Sequence, residues 1–298
     1  SRTTPVLVVH SMVSKPTILD LTESRSLVRH IQAAGYDTFL LDWGDYDGDE
    51  AGHGLAKHTA LLRDAEEFVR ATSSDGRVQE VAYCLAGMLA VESAANEPKP
   101  WLNSLVAIAP PFDLGVPGGL QPVLSHRWLR PALLLDGNGC VPAAVVREAF
   151  HALRPQAIRT VWARIRYAKR LTAEDKDFHA AMAQWSWEQR SLPGALFFDL
   201  IDLFRSNELV ETGNRDALRK LGVPMLLVIA ERDHIVPSGS SHALTTVVGA
   251  EVTVRNVAAG HVSMVVGRAA QETVWPALLE WLEAHDAKRR GRVRRPKS

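Results

Sequence analysis

Cysteine is scarce in this 298-residue chain, with Cys84 and Cys140 the whole supply. Two cysteines do not make a disulfide framework, so nothing demands an oxidising compartment. Long apolar runs are also missing. Stretches such as Val6–Val9 and Met225–Ala230 are of strand size, far short of the roughly 20 residues that a spanning helix needs. The N-terminus lacks the basic-then-apolar pattern of a secretory signal. No internal repeat occurs, and no low-complexity segment precedes residue 287. Neither sign of charge dominates, since 34 Lys and Arg balance 34 Asp and Glu. These absences lead to the expectation of a soluble, cytoplasmic protein with no membrane span. What is present, 46% hydrophobic and 23% charged residues, is too apolar for a disordered chain.

The balanced charge is unevenly placed. Residues 287–298 carry Lys288, Arg289, Arg290, Arg292, Arg294, Arg295 and Lys297 and no acid. Taking these seven from the 34 basic residues leaves 27 against 34 acidic ones in the rest of the chain. An acidic body argues against nucleic-acid binding as the main task. The tail reads as a disordered, solvated terminus, with contact to an anionic partner as the alternative.

Strand and helix patterns alternate along the first third. Thr3–His10 is a continuous apolar run opened by Pro5, as suits a strand buried on both faces. Leu27–Ala34 reads as a helix stopped by Gly35, and Thr38–Trp43 as the next strand. Leu55–Thr72 places Leu55, Leu62, Ala65 and Val69 on one helical face. Val78–Tyr83, Leu85–Ala95 and Leu105–Ala109 follow as strand, helix and strand. After Pro110-Pro111 the rhythm breaks. Residues 112–215 show helical patterns, no convincing strand alternation, and four of the eight tryptophans: Trp128, Trp162, Trp185 and Trp187. Strands return at Pro224–Glu231 and Val252–Ala258, with a final helix near Ala269–Ala284. The fold class is therefore α/β. One mostly parallel, doubly wound sheet is built from residues 1–111 and 216–286, and residues 112–215 form a helical cap insertion.

Cys84 lies in Ala82-Tyr83-Cys84-Leu85-Ala86-Gly87, where the pattern passes from strand to helix. In the α/β-hydrolase fold this is the place of the nucleophile elbow, normally G-x-S-x-G. Its sharp turn exposes the nucleophile and aims the next backbone N–H at the developing oxyanion. Here cysteine replaces serine, and no G-x-S-x-G occurs elsewhere. Arg232-Asp233-His234 follows the strand at Pro224–Glu231, and Gly260-His261 follows the strand at Val252–Ala258. Nucleophile, acid and base thus come in the hydrolase chain order, at strand carboxyl ends where ligands gather in open α/β sheets. A thiol beside an imidazole attacks acyl groups well and carries them as thioesters, which favours transfer over plain ester hydrolysis. His234 reads as structural. Cys140, within Gly137-Asn138-Gly139-Cys140, has no acid–base context, and no metal site or cofactor is expected.

Several separate segments resemble the polyhydroxyalkanoate synthases. Lys15-Pro16-Thr17-Ile18-Leu19-Asp20-Leu21 with Ser26-Leu27-Val28 is similar to the family's N-K-x-x-I-L-D-L…S-L-V block. Gly35–Leu40 with Asp42-Trp43 resembles its G-x-x-V-F-x-x-x-W strand, and Ala82–Gly87 its G-Y-C-x-G-G box at Tyr, Cys and the second Gly. Trp187, Leu192-Pro193-Gly194 and Asn207-Glu208-Leu209 resemble its W…L-P-G…N-x-L region. Asp233-His234-Ile235-Val236-Pro237 reproduces D-H-I-V-P, and Gly260-His261-Val262 reproduces G-H-[IV]. The resemblance implies that Cys84 carries the acyl group and His261 activates it. Asp233 would orient His261 or activate the 3-hydroxyl of an incoming hydroxyacyl group. Oxyanion donors would be the Leu85 N–H and the loop around Met12 and Val13. The implied substrate is a 3-hydroxyacyl-coenzyme A thioester, polymerised with release of coenzyme A. The implied partners are a second copy, a second synthase subunit or a polymer granule. A thioesterase or depolymerase with the same triad, or a catalytically weak granule-associated relative, are the alternatives. The chain departs from the family where the elbow glycines are Ala82 and Ala86, the first-block asparagine is Ser14, and Pro-Pro is His10-Ser11. By this resemblance the chain is expected to lack the long N-terminal domain of the single-subunit members, as in the smaller catalytic subunits.

Overall fold

The computed structural model describes residues 2–46, 48–153, 171–207, 209 and 215–286. Trp162, Glu208 and the basic tail lie outside the described residues. Six strands make the main sheet: β1 (Val6–Val9), β2 (Thr38–Leu41), β3 (Val78–Tyr83), β4 (Leu102–Ile108), β5 (Met225–Ala230) and β6 (Val252–Val257). Their order across the sheet is β6-β5-β4-β3-β1-β2, and every pairing is parallel. Strands β1, β3, β4 and β5 are buried along their whole length. That is why β1 and β5 read as unbroken apolar runs, and why β3 and β4 are apolar apart from Gln79, Glu80, Asn103 and Ser104, since helices cover both faces of a parallel sheet. The edge strands β2 and β6 are half-buried or partly exposed.

Helix α1 (Leu27–Ala33) begins where the Ser26 hydroxyl accepts the Arg29 N–H at 2.9 Å, and it ends at Gly35, whose φ is 90°. Such left-handed backbone favours glycine. Helix α2 (Leu55–Thr72) turns Leu62 and Val69 inward. Helix α3 (Leu85–Asn96) leaves β3 through Cys84 and is buried along most of its length. Between β4 and β5 the chain makes α4 (Ala143–Leu153), α5 (Ala173–Trp187) and α6 (Gly194–Ser206) among its described residues. It then rejoins the sheet with Leu105 beside Met225.

The main strands and helices lie where the hydrophobic pattern places them, although β4 starts at Leu102 instead of Leu105 and the short helices Ser238–His242 and Leu244–Val247 have no counterpart in that reading. The intervening segment contains an antiparallel pair of two-residue strands, Cys140–Val141 with Leu192–Pro193, too short to show any periodicity. Asp20–Thr22 and Arg25–Ser26 form a second small pair, where no strand is expected. The last helix is two-part: Ala270–Val274 is a wider π-type turn that leads into α7 (Trp275–Ala284). No helix among the described residues is long and apolar enough to cross a membrane.

Candidate active site

Cys84 joins β3 to α3 with φ 59° and ψ −129°. A side chain rarely adopts this backbone, and it costs on the order of 1–3 kcal/mol. Ladder and helix bonds hold it there. The Cys84 N–H donates to the Ile108 carbonyl at 2.8 Å, and the Cys84 carbonyl accepts from Gly87 N–H at 2.8 Å. The two alanines in place of elbow glycines do not abolish the turn. Ala82 and Ala86 are both wholly buried, and their methyl groups are absorbed by the core. Gly87 is the position without room: a Cβ there would stand 3.1 Å from the Pro110 Cβ and 3.3 Å from the Ala82 carbonyl oxygen.

Asp233 and His261 follow β5 and β6 and meet beside Cys84. His261 Nδ1 donates to Asp233 Oδ2 at 2.6 Å, with the two side chains 6% and 1% exposed. The other Asp233 oxygen accepts the N–H groups of Ile235 at 2.8 Å and Val236 at 2.9 Å. The carboxylate is thereby tied both to its own loop and to the imidazole. With Nδ1 so engaged, Nε2 is the nitrogen left to interact with Cys84. Burial opposes a charge on His261, but its interactions with Cys84 and with the Asp233 carboxylate outweigh it. Together they push His261 up to about 10. An imidazolium beside a thiolate is the form that makes a cysteine nucleophilic. Tyr83 packs its ring 5.0 Å from that of His261 and donates its hydroxyl to the His261 carbonyl at 3.3 Å. Burial, with the charges of Cys84 and Asp233, keeps the Tyr83 phenol protonated.

Leu85 is the first residue of α3, so its N–H is one of the donors that a helix's own ladder leaves over. Val13 lines a cavity together with Cys84 and Leu85, whereas the Met12 side chain is wholly buried in the core. The loop they share begins at His10, also wholly buried. Burial and the charge of Arg190 push His10 down to about 3, against Asp42 and the backbone of Ser11 and Ser14. It is neutral at physiological pH. His234 is exposed in an open cleft on the far side of Asp233 and does not line the cavity over Cys84. Cys140 is buried in the small strand pair. Among the described residues no group of His, Cys, Asp and Glu is arranged to hold a metal ion.

The residues that sequence reasoning missed come from the intervening segment. Leu134, Val146, Phe150, Leu200 and Phe204 line the cavity that opens at Cys84. The sequence signal of Val146, Phe150, Leu200 and Phe204 is the apolar face of α4 and α6, which reads equally well as core, and Leu134 lies in a short turn (Pro131–Leu134) with no periodicity.

No family model matches the chain. Curated relatives do, along nearly all of it. The poly(3-hydroxyalkanoate) polymerase subunit PhaC of Haloferax mediterranei is 26% identical over 93% of this chain and 58% of its own length. The subunit of the same name from Haloarcula marismortui is 27% identical, over 93% and 60%. That of Thiocystis violacea is 26% identical, over 94% and 80%. The chain therefore spans less than two thirds of the two haloarchaeal relatives. Among solved structures, one from the study of the metagenome-derived lipolytic enzymes LipS and LipT superposes with a TM-score of 0.62 at 16% identity, covering 95% of both chains. The monoacylglycerol lipase of Paleococcus ferrophilus gives a TM-score of 0.56 at 16% identity, covering 95% of this chain and 96% of that one. Along nearly its whole length the chain is similar in sequence to poly(3-hydroxyalkanoate) polymerase subunits, and it has the α/β-hydrolase fold.

Proposed function

We propose that this protein is an acyltransferase of the polyhydroxyalkanoate synthase type, acting on 3-hydroxyacyl-coenzyme A through a thioester on Cys84. The observation that carries the reading is the Cys84–His261–Asp233 constellation at the strand-to-helix turn, in a chain similar throughout to polymerase subunits. The Cys84 thiolate attacks the thioester carbonyl, and the oxyanion meets the Leu85 N–H with a second donor from the Val13 loop. The carbon–sulfur bond to coenzyme A breaks, and His261 supplies the proton that the departing thiolate takes up. The imidazole then removes a proton from the 3-hydroxyl of the next hydroxyacyl group. The resulting oxygen nucleophile attacks the Cys84 thioester, so an ester forms and the thiolate returns. Asp233 acts by orienting His261, because its oxygens are already committed to the imidazole and to its own loop.

The described residues between 112 and 215 act as the cap over this site. Water in place of the hydroxyl acceptor would make the same machinery a thioesterase, and the apolar cavity lining favours transfer by keeping water out. A second copy, a second subunit or a polymer surface remain the proposed partners, and the cytoplasm the proposed location.

The test is thiol release from 3-hydroxybutyryl-coenzyme A and 3-hydroxyoctanoyl-coenzyme A by the purified protein and by Cys84→Ala, with the product analysed. Release that depends on Cys84 and yields polymer is expected. Free acid as the sole product would establish the hydrolase instead. No release, even with a polymerase partner subunit added, would overturn the catalytic reading.

A further inference from the structure

The cavity that opens at Cys84 holds about 190 Å³. An apolar cavity of about 150 Å³ suffices for a six-carbon ring. The lining is hydrocarbon almost throughout, with Asp113, Gln121 and Ser240 as its few polar side chains besides Cys84. Asp113 Oδ1 accepts from Gly115 N–H and from the Asn207 amide, both at 2.9 Å. The Ser240 hydroxyl accepts the Phe112 N–H at 3.1 Å. Apolar side chains thus make up most of what a ligand in the cavity would touch. Leu124, Leu129, Leu134, Phe150 and Phe204 face it while still only half-buried. Apolar surface left uncovered inside a concavity marks a place where a ligand completes the burial.

From these observations we infer that the acyl group favoured at Cys84 carries a medium-length alkyl tail, a pentyl to heptyl chain beyond the 3-hydroxyl carbon, housed among the cap residues. The inference deepens the acyl-thioester reading above and rests on it. A 3-hydroxybutyryl group places a single methyl beyond that carbon. It would leave most of the lining uncovered and the volume empty. Each methylene added to the tail brings about 0.8 kcal/mol of burial, so several together produce a large preference. Val146, 7% exposed on α4, and Leu200, 5% exposed on α6, contribute to the lining from the cap, and their bulk sets the tail length.

Two measurements separate this inference from the reading beneath it. Steady-state thiol release compares 3-hydroxyoctanoyl- with 3-hydroxybutyryl-coenzyme A. A kcat/KM at least tenfold higher for the longer substrate is expected, and equal or lower values would overturn the inference. Calorimetric titration of Cys84→Ala with octanoyl- and butyryl-coenzyme A reads the cavity without turnover. At least tenfold tighter binding of the octanoyl thioester is expected, and Val146→Phe in that background should reduce the ratio to about threefold or less. Equal binding, or a preference that survives Val146→Phe in a protein with an unchanged melting profile, would place the tail elsewhere and overturn the inference. Tighter octanoyl binding without turnover of either hydroxyacyl substrate would retain the cavity assignment and remove the synthase reading.

Discussion

Cys84 occupies backbone that would suit glycine, at φ 59°. The strain is maintained because the ladder bond to Ile108 and the first turn of α3 fix the residue from both sides. This gives an inverted expectation for two substitutions that both remove the sulfur. Glycine for alanine ordinarily destabilises by about 0.5–1 kcal/mol, through the entropy of the unfolded chain. At position 84 the order reverses. Cys84→Gly releases the Cβ from its unfavourable conformation, worth on the order of 1–3 kcal/mol, so it should be more stable than Cys84→Ala by about 1 kcal/mol. Urea denaturation of the two variants measures the difference. A less stable glycine variant would mean that the turn is not strained. The elbow was legible in the sequence because the cysteine falls where strand pattern gives way to helix. That the turn tolerates Ala82 and Ala86 was not legible, since it depends on how much room β4 and α3 leave for two methyl groups.

Between β3, α2 and the end of α3 the fold buries charge that no periodicity announces. Lys99 Nζ meets Glu66 Oε1 at 2.6 Å and donates to the Ser93 hydroxyl at 2.8 Å, with the ion-paired side chains 1% and 0% exposed. Glu80, wholly buried on β3, faces this pair, and neither of its oxygens nor Oε2 of Glu66 has a donor from the protein. A proton on Glu80 supplies the missing donor. Burial first, then the nearby Glu66 charge, holds the Glu80 carboxyl well above its usual range, with Lys99 opposing. A group whose folded value is raised contributes stability that is complete below its unfolded value, near pH 4.5. That contribution is lost as pH rises toward the folded value. Glu80→Gln keeps the donor and cannot ionise. Its stability should exceed the wild type's by a margin that grows with pH from about 5 to 9, at up to about 1.4 kcal/mol per unit. Thermal melts across that range check the slope, and parallel curves would show Glu80 already ionised. Lys99→Met strands the Glu66 charge and should cost about 3–5 kcal/mol at neutral pH. Val78–Tyr83 was legible as a strand despite Gln79 and Glu80, because Val78, Val81, Ala82 and Tyr83 surround them. The partner of Glu80 was not legible, because Glu66 and Lys99 reach it from elements that meet only in the folded chain.

Under the proposed reading, transfer and hydrolysis differ by one acceptor, so the hold of the proposed cap on the sheet bears on which reaction results. The segment just before Leu192, which lines the cavity, is tied to the core through Arg190. Its guanidinium, 7% exposed, reaches Asp42 Oδ1 at 2.8 Å, the Gly44 carbonyl at 2.6 Å and Asp45 Oδ1 at 3.2 Å. Burial pushes the Asp42 carboxyl up, but Arg190 and the Gly44 N–H outweigh it and hold it below its usual value. Ser191 donates to the Tyr46 carbonyl at 2.6 Å, and Trp185 donates to the Lys15 carbonyl at 3.3 Å. Every one of these bonds joins the cap to loops at the carboxyl ends of β1 and β2, where the Val13 loop also lies. Removing the guanidinium should therefore loosen the roof of the cavity more than the sheet beneath it. Arg190→Ala is expected to lose about 1.5–3 kcal/mol, the range for hydrogen bonds to charged groups, seen as a fall of several degrees in Tm. Under the proposed acyltransferase reading it should also raise the share of free acid among the products at least twofold, as water gains access to the Cys84 thioester. Arg190→Lys should recover only part of both effects, because an ammonium cannot span Asp42 and the Gly44 carbonyl as a planar fork does. Product analysis beside the melting curve decides the matter. A lower Tm with an unchanged acid-to-polymer ratio would mean that this clamp holds the cap without governing what reaches the thioester.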